Sequence, residues 1–104
     1  MQETTAMKAL IIVVNSGHAN DVIEIARGAG VRGATILPCR GAGTSAEALF
    51  GISIDANKEM LICIADGPTA ERAMTAIAEK AGIKTPAHSF CFVIPVEKTL
   101  GITA

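Results

Sequence analysis

Three short segments constrain the fold of this chain most, because they are apolar at nearly every position and not at every second one. Their sequences are KALIIVV over residues 8–14, KEMLICIA over 58–65 and FCFVIPV over 90–96. A half-exposed strand alternates apolar and polar residues, whereas a continuous apolar run rich in β-branched residues is typical of a strand covered on both faces. The sequence therefore predicts three strands that need cover on two sides.

A further strand is predicted over 33–40 (GATILPCR), and a weakly patterned stretch of Gly, Ala, Ser and Thr follows it. That stretch is interpreted as a mobile loop over residues 41–57, with a short alternating piece at 51–54. No linker or low-complexity segment interrupts the 104 residues, which is the size of one domain. We therefore expect a single domain over 1–104.

Two amphipathic helices separate the strands. The first is expected to be capped by Asn20 or Asp21 and to end at Gly30, and the second to be capped by Asp66 and to end at Gly82. Both have apolar residues at helical spacing. These residues are Val22, Ile25, Ala26 and Ala29 in the first helix and Ala70, Ala73, Met74, Ile77 and Ala81 in the second.

The resulting order βαββαβ is the split βαβ arrangement of ferredoxin-like domains, an α+β fold in which two helices lie on one face of a four-stranded antiparallel sheet. Right-handed crossovers place both helices on the same side, so they cannot cover the other face. Since the strands are apolar there as well, the simplest cover is another copy of the chain. A monomer with an exposed apolar sheet is the alternative.

The charge and the length of the apolar runs exclude some classes of partner. Nine Lys and Arg against ten Asp and Glu give a net charge of −1, and no segment collects basic residues, so we expect no nucleic-acid binding. The apolar runs are too short to span a bilayer, and residues 1–7 (MQETTAM) lack the basic start of a secretion signal. We therefore expect a cytoplasmic protein without direct membrane insertion.

The three cysteines, Cys39, Cys63 and Cys91, have neither a CxxC motif nor a histidine at ligand spacing. This argues against a disulfide framework and against a metal site. All three are interpreted as small apolar residues on strands, with Cys39 the candidate for reactivity because Arg40 adjoins it.

In the order of its motifs the chain resembles the PII family, the small trimeric signal-transduction proteins known as nitrogen regulatory proteins. The resemblance covers nearly the whole chain and depends on three groups of residues. They are Asn20-Asp21-Val22, the series Gly30, Gly33, Thr35, Gly41 and Gly43, and Phe92-Val93-Ile94-Pro95-Val96-Glu97. The resemblance implies a homotrimer with inward-facing sheets and adenine nucleotides in the clefts between subunits. It also implies that the loop after the second strand docks on a target, often a membrane transporter or an enzyme.

The chain departs from that family at the positions that hold nucleotide phosphates. The family has a Gly-Asp-Gly-Lys signature before its last strand and two arginines near its C-terminus. Here the signature positions read Ala87-His88-Ser89-Phe90, and the arginine positions are Gly101 and Thr103. Because the chain lacks that lysine and both arginines, we expect it to bind ATP more weakly. Ile62 replaces an acidic residue near the nucleoside, and the loop tyrosine that some relatives modify is absent because the chain has no Tyr.

The residues left to bind an effector at the cleft follow from the same resemblance. They are Thr35, Arg40, Gly41, Gly43, Thr44, Ala87, His88 and Ser89. Backbone N–H groups of glycines suit an anion, so an adenine nucleotide with altered phosphate contacts or another small anion is the candidate effector. His88 would make that binding pH-sensitive, and a solvated loop histidine is the alternative.

These expectations combine into a regulatory sensor without catalytic or metal-binding residues. It would bind a small effector between subunits and signal to a partner protein through the 41–57 loop, whose order would change on binding. Two alternatives stay open. One is a small oligomeric enzyme of ferredoxin-like architecture, for which His88 and the thiols are the candidate groups, and the other is a structural assembly protein that senses nothing.

Overall fold

The computed structural model describes residues 6–41 and 57–102, and within them the order of elements is the predicted βαββαβ. All strand pairs are antiparallel, and the four strands form one sheet in the order β2-β3-β1-β4. The fold is therefore the ferredoxin-like one. The elements are β1 (Met7–Asn15), α1 (Ala19–Gly28), β2 (Thr35–Arg40), β3 (Asn57–Asp66), α2 (Gly67–Ala81) and β4 (Phe90–Pro95).

The start of α1 differs from the prediction, whereas its end and both ends of α2 agree. The N-cap of α1 is His18, which makes no capping hydrogen bond with its side chain, so the cap is neither Asn20 nor Asp21. The helix begins earlier because the Val22 N–H already reaches the His18 carbonyl, at 3.2 Å. At the other end the N–H of Gly30, at φ +112, donates to the Arg27 carbonyl and closes the helix.

The termini of α2 follow the sequence signals. The Asp66 carboxylate accepts a hydrogen bond from the Thr69 N–H at 2.8 Å, and a proline stands in the first turn. Gly82 is the C-cap, and a Cβ atom there would lie 2.5 Å from the Ala78 carbonyl oxygen. Only glycine fits that close approach without a shift of the helix end.

Strand β2 is shorter than predicted, because Gly33 and Ala34 lie outside it. Its first residue, Thr35, pairs with Ile62 in the middle of β3, and its last, Arg40, pairs with Asn57. It is an edge strand, where Pro38, which lacks an N–H, is tolerated.

The core lies between the two helices and one face of the sheet. On that face Leu10, Ile12 and Leu61 are fully buried, and Cys63 is 1 % exposed. The helices contribute the predicted apolar stripes, among whose members Val22, Ala26, Ala70, Ala73, Ile77 and Ala81 are buried. The alanines of α2 allow its backbone to lie close to the strands.

The opposite face, called the open face below, is covered by neither of the helices α1 and α2 that the described residues form. Its side chains follow from the strand register and come from every strand. On β4, Phe90, Phe92 and Ile94 are 54 %, 44 % and 46 % exposed. The open face consists of Thr35, Leu37 and Cys39, of Lys58, Met60, Ile62 and Ile64, of Ala9, Ile11, Val13 and Asn15, and of Phe90, Phe92 and Ile94.

No helix in residues 6–41 or 57–102 is long and apolar enough to cross a membrane. The predicted loop over 41–57, apart from its end residues, lies outside the described residues, as does the alternating piece at 51–54.

Candidate effector site

One end of the sheet brings together the segments that the sequence analysis assigned to effector binding. There the last residue of β1, Asn15, pairs with Lys58 at the start of β3, and Lys58 pairs in turn with Cys39 near the end of β2. The segment 82–89 returns to the same end before β4 begins. Arg40 at the end of β2, Asn57 at the start of β3 and the 82–89 segment therefore lie at the same end of the sheet.

Asn15 joins these segments through hydrogen bonds. Its side chain donates from Nδ2 to the Pro86 carbonyl at 3.0 Å, and its Oδ1 accepts from Lys58 Nζ at 2.7 Å. Its backbone N–H donates to the Ala87 carbonyl at 2.9 Å. Since Asn15 is 4 % exposed, these bonds form with little competition from water.

Lys58 is therefore a cation held in place beside the 82–89 segment. Its ammonium has three donors, and Asn15 uses one. A short charge-assisted bond of this kind orders an otherwise flexible side chain. The remaining donors can hold a carboxylate or a phosphate.

The 82–89 segment is held by its own side chains. His88 has a left-handed backbone, with φ +44, and its Nδ1 lies 2.9 Å from the Ile83 carbonyl oxygen. Because a carbonyl oxygen accepts, Nδ1 carries the proton, and Nε2 is the acceptor of the neutral ring. The Thr85 hydroxyl donates to the Gly82 carbonyl at 2.8 Å. His88 thus adopts a left-handed backbone conformation, which glycine adopts most readily.

The structure separates the neighbours of His88 from the open cleft. Ala87 is 6 % exposed and takes part through its carbonyl oxygen. Ser89 is 4 % exposed, and its hydroxyl and its N–H both donate to the Ala81 carbonyl at the end of α2. The Ser89 side chain therefore stabilises the helix end, and of the two polar side chains here it is His88 that stays half-buried at the surface.

The predicted residues of β2 point to different faces. Thr35 pairs with Ile62 and lies on the open face. Arg40 pairs with Asn57, and the alternation along the strand places it on the helix-covered face. Arg40 and Lys58 nevertheless line the same cleft of about 430 Å³, which wraps around the strand ends. Gly41 follows as an exposed residue. Gly43 and Thr44 lie outside the described residues.

The sequence did not indicate that Asn15 and Lys58 belong to the candidate site. By sequence, Asn15 is a turn residue that ends a strand, and Lys58 is the first residue of an apolar run. The available signal was positional, since a lone lysine directly after the long loop stands at the sheet end where a ligand would bind. Their pairing, however, depends on a register between strands more than forty residues apart in sequence.

The described residues contain no cluster of three or more His, Cys, Asp and Glu side chains that would hold a metal ion. His88 is oriented by a carbonyl and not by a carboxylate. Burial raises the pKa of the Cys63 thiol to about 11 and raises that of Cys91 as well, so both remain protonated at neutral pH. Cys39, Cys63 and Cys91 are all free.

The same fold occurs in solved structures of known proteins. A PII-like signalling protein of Thermus thermophilus superimposes with a TM-score of 0.68 at 22 % identity, over 88 % of this chain and 87 % of that one. The Bacillus subtilis GlnK–ATP complex gives 0.71 at 14 % identity, over 95 % and 91 %. Arabidopsis thaliana PII bound to citrate gives 0.64 at 18 % identity, over 89 % and 77 %. At these identities the likeness establishes the fold alone.

The family assignment comes from the sequence. No protein with a curated functional description matches it significantly. The sequence model of the family described as nitrogen regulatory protein P-II matches residues 7–104, which is nearly the full length. The resemblance seen in the glycine series and in the FVIPVE segment is therefore confirmed, and the chain belongs to the P-II family of nitrogen regulatory proteins.

Proposed function

We propose that this protein is a sensor that binds a small anionic effector at the Lys58 end of the sheet and reports its presence to a partner protein through the 41–57 segment. The observation that carries the proposal is the Lys58 ammonium at the start of β3, fixed 2.7 Å from Asn15 Oδ1, while Asn15 also bonds to Pro86 in the 82–89 segment. A cation fixed at this point can receive an anion, and an anion held there acts on the chain that adjoins it.

The effector that fits is smaller or less charged than ATP. Among the described residues of the cleft, Lys58 and Arg40 supply positive charge, while Glu59, which also lines it, supplies a negative one. Phe90 stands where relatives have a phosphate-binding lysine, and it is an exposed apolar side chain on the open face. One or two anionic groups match this balance better than a triphosphate. Citrate and ATP, bound by structural neighbours, are the probes to begin with.

A homotrimer is part of the proposal. Phe90, Phe92 and Ile94 leave a continuous apolar band on the open face, and a band of this kind marks an interaction surface. Copies packed through this face would place the Lys58 end of each sheet beside a neighbouring subunit, so that the effector lies at a subunit boundary. The partner reached through the 41–57 segment is a membrane transporter or an enzyme in the cytoplasm, as the resemblance to the family implies.

Thermal-shift titration tests the sensor function. The melting temperature is measured with ATP, ADP, AMP, 2-oxoglutarate, bicarbonate and citrate, because a ligand of the native state stabilises it by mass action. We expect at least one of them to raise it. Lys58→Met, which keeps an unbranched side chain without the charge, should weaken the binding of that ligand by about tenfold to a hundredfold, the value of a charge-assisted hydrogen bond.

The matched control is Lys80→Met, an exposed lysine in the last turn of α2. It should leave the affinity unchanged. If no probe stabilises the protein, the structural assembly function is favoured instead. If a probe binds Lys58→Met as tightly as the unchanged protein, the effector binds elsewhere.

A further inference from the structure

We propose that Asn15 is a positioning residue of this site, which sets the effector affinity without touching the effector. The inference rests on the function proposed above, because it concerns the same cation. One carboxamide holds two segments, since its Nδ2 donates to the Pro86 carbonyl at 3.0 Å and its Oδ1 accepts from Lys58 Nζ at 2.7 Å. The two segments are far apart in the sequence.

The two partners determine which way the carboxamide points. The Pro86 carbonyl can only accept a hydrogen bond, and the ammonium of Lys58 can only donate one. Turning the amide by half a revolution would place its NH₂ group against the ammonium and its oxygen against the carbonyl. Asparagine therefore fits this position because its side chain offers one donor, Nδ2, and one acceptor, Oδ1. An aspartate would keep the acceptor for Lys58 and lose the donor for Pro86.

Fixing Lys58 matters because a lysine side chain has many rotamers, and an anion that binds it must restrict them. Asn15 is 4 % exposed and also donates its backbone N–H to the Ala87 carbonyl, so it is itself well fixed. The ammonium is thus ordered before the anion arrives. A site ordered in advance binds more tightly, because the cost of ordering is removed from the binding step.

The neighbouring backbone extends the connection to β3. The Ser16 N–H donates to the Asn57 carbonyl at 3.1 Å, and the Gly17 N–H donates to Glu59 Oε1 at 3.1 Å. Residues 15–17 consequently hold both the 82–89 segment and the first residues of β3. An anion on Lys58 therefore acts on a unit that includes Asn57, the first residue of β3.

A double-mutant cycle separates this role from a purely structural one. Citrate and ATP affinities are measured by calorimetry for the full chain and for Asn15→Ala, Lys58→Met and the pair. Asn20→Ala, on the exposed side of α1, is the control. We expect Asn15→Ala to lower the affinity for the anion by about fivefold to tenfold. In the Lys58→Met background it should lower the affinity no further. Asn20→Ala should have no effect.

Asn15→Asp sharpens the result. The aspartate still holds Lys58 but neutralises it, so the anion should bind more weakly than to Asn15→Ala. A purely structural role predicts that both variants lower the melting temperature while the affinity of the folded protein stays unchanged. That outcome would overturn the proposal, as would equal weakening by Asn15→Ala with and without Lys58.

A measurement without any effector keeps the proposal open to refutation. The ammonium signal of Lys58 in ¹⁵N-edited NMR, assigned by its loss in Lys58→Met, reports whether the ammonium protons are held in a hydrogen bond. We expect the signal in the unchanged protein and in Asn20→Ala, and its loss in Asn15→Ala. If citrate and ATP do not bind, the sensor function fails with these probes, but a signal that survives in Asn15→Ala refutes the positioning role independently.

Discussion

The two faces of the sheet have similar apolar sequences but different surroundings. On the covered face Leu10, Ile12 and Leu61 are fully buried beneath the helices. On the open face Phe92 and Ile94, with the same kind of side chain, are 44 % and 46 % exposed. The continuous apolar sequence of a strand therefore predicts that both faces are covered. It does not indicate which face is covered by the strand's own chain.

The helix α2, which covers one face, carries smaller side chains than the open face does. The cover supplied by α2 consists largely of alanines, among them Ala70, Ala73 and Ala81, which allow a close approach of helix and sheet. The open face carries the larger Phe, Ile and Met side chains, and those of β4 are about half exposed. This difference supports the proposal that the open face packs against other copies of the chain.

The largest effect should follow from a charge in the exposed apolar band that β4 contributes to the open face. Phe92→Lys places an ammonium where we expect contact with other copies, and a buried unpaired charge prevents association. Light scattering after size exclusion should change from a mass three times 10.7 kDa to the mass of one chain. Leu100→Lys, at a residue 97 % exposed beyond β4, is the control and should remain a trimer.

An unchanged protein that elutes as one chain would refute the role of the open face. A Phe92→Lys variant that stays trimeric would instead locate the subunit contacts on another surface. In the first case the Lys58 end of the sheet would not lie at a subunit boundary.

Most of the fold could be predicted because its determinants are local. The apolar runs, the Asp66 cap and the glycines that follow both helices each act within a few residues, and their order leaves few topologies. The predicted start of α1 is wrong, because Asn20 and Asp21 are good capping residues and nothing in the sequence favours His18 over them. There the backbone hydrogen bond from Val22 decides the start.

The candidate site could be predicted less completely, because its contacts join distant parts of the chain. Resemblance gave the 87–89 segment and the glycines after β2, but it did not indicate that the Ser89 hydroxyl is used by the end of α2. It did not reveal Lys58 either. That lysine gains its place through Asn15, and their register depends on how β1 and β3 pair along their whole length.

A smaller effect, on stability, should distinguish the faces directly. Ile12→Ala removes a fully buried side chain of the covered face and should lower the free energy of unfolding by about 3 kcal/mol, measured by urea titration. Ile94→Ala on the open face should cost less, and almost nothing in the monomeric Phe92→Lys background, where the side chain faces water. Equal costs in both backgrounds would mean that the open face is covered within one chain.

The smallest effect concerns the helix that covers the sheet. The Thr69 backbone N–H, which donates to Asp66, lowers the pKa of the Asp66 carboxyl below its ordinary 3.8. A lowered pKa in the folded state means that the carboxylate stabilises the fold above pH 3.8 and that this contribution is lost as the pH falls through the lowered value. Asp66→Ala should therefore reduce the melting temperature at neutral pH and match the unchanged protein in strong acid.

Asp66→Asn keeps a capping oxygen that does not titrate, so its stability should vary less with pH across this range. If the difference between Asp66→Ala and the unchanged protein persisted in strong acid, the cap would stabilise α2 through its shape and not through its charge.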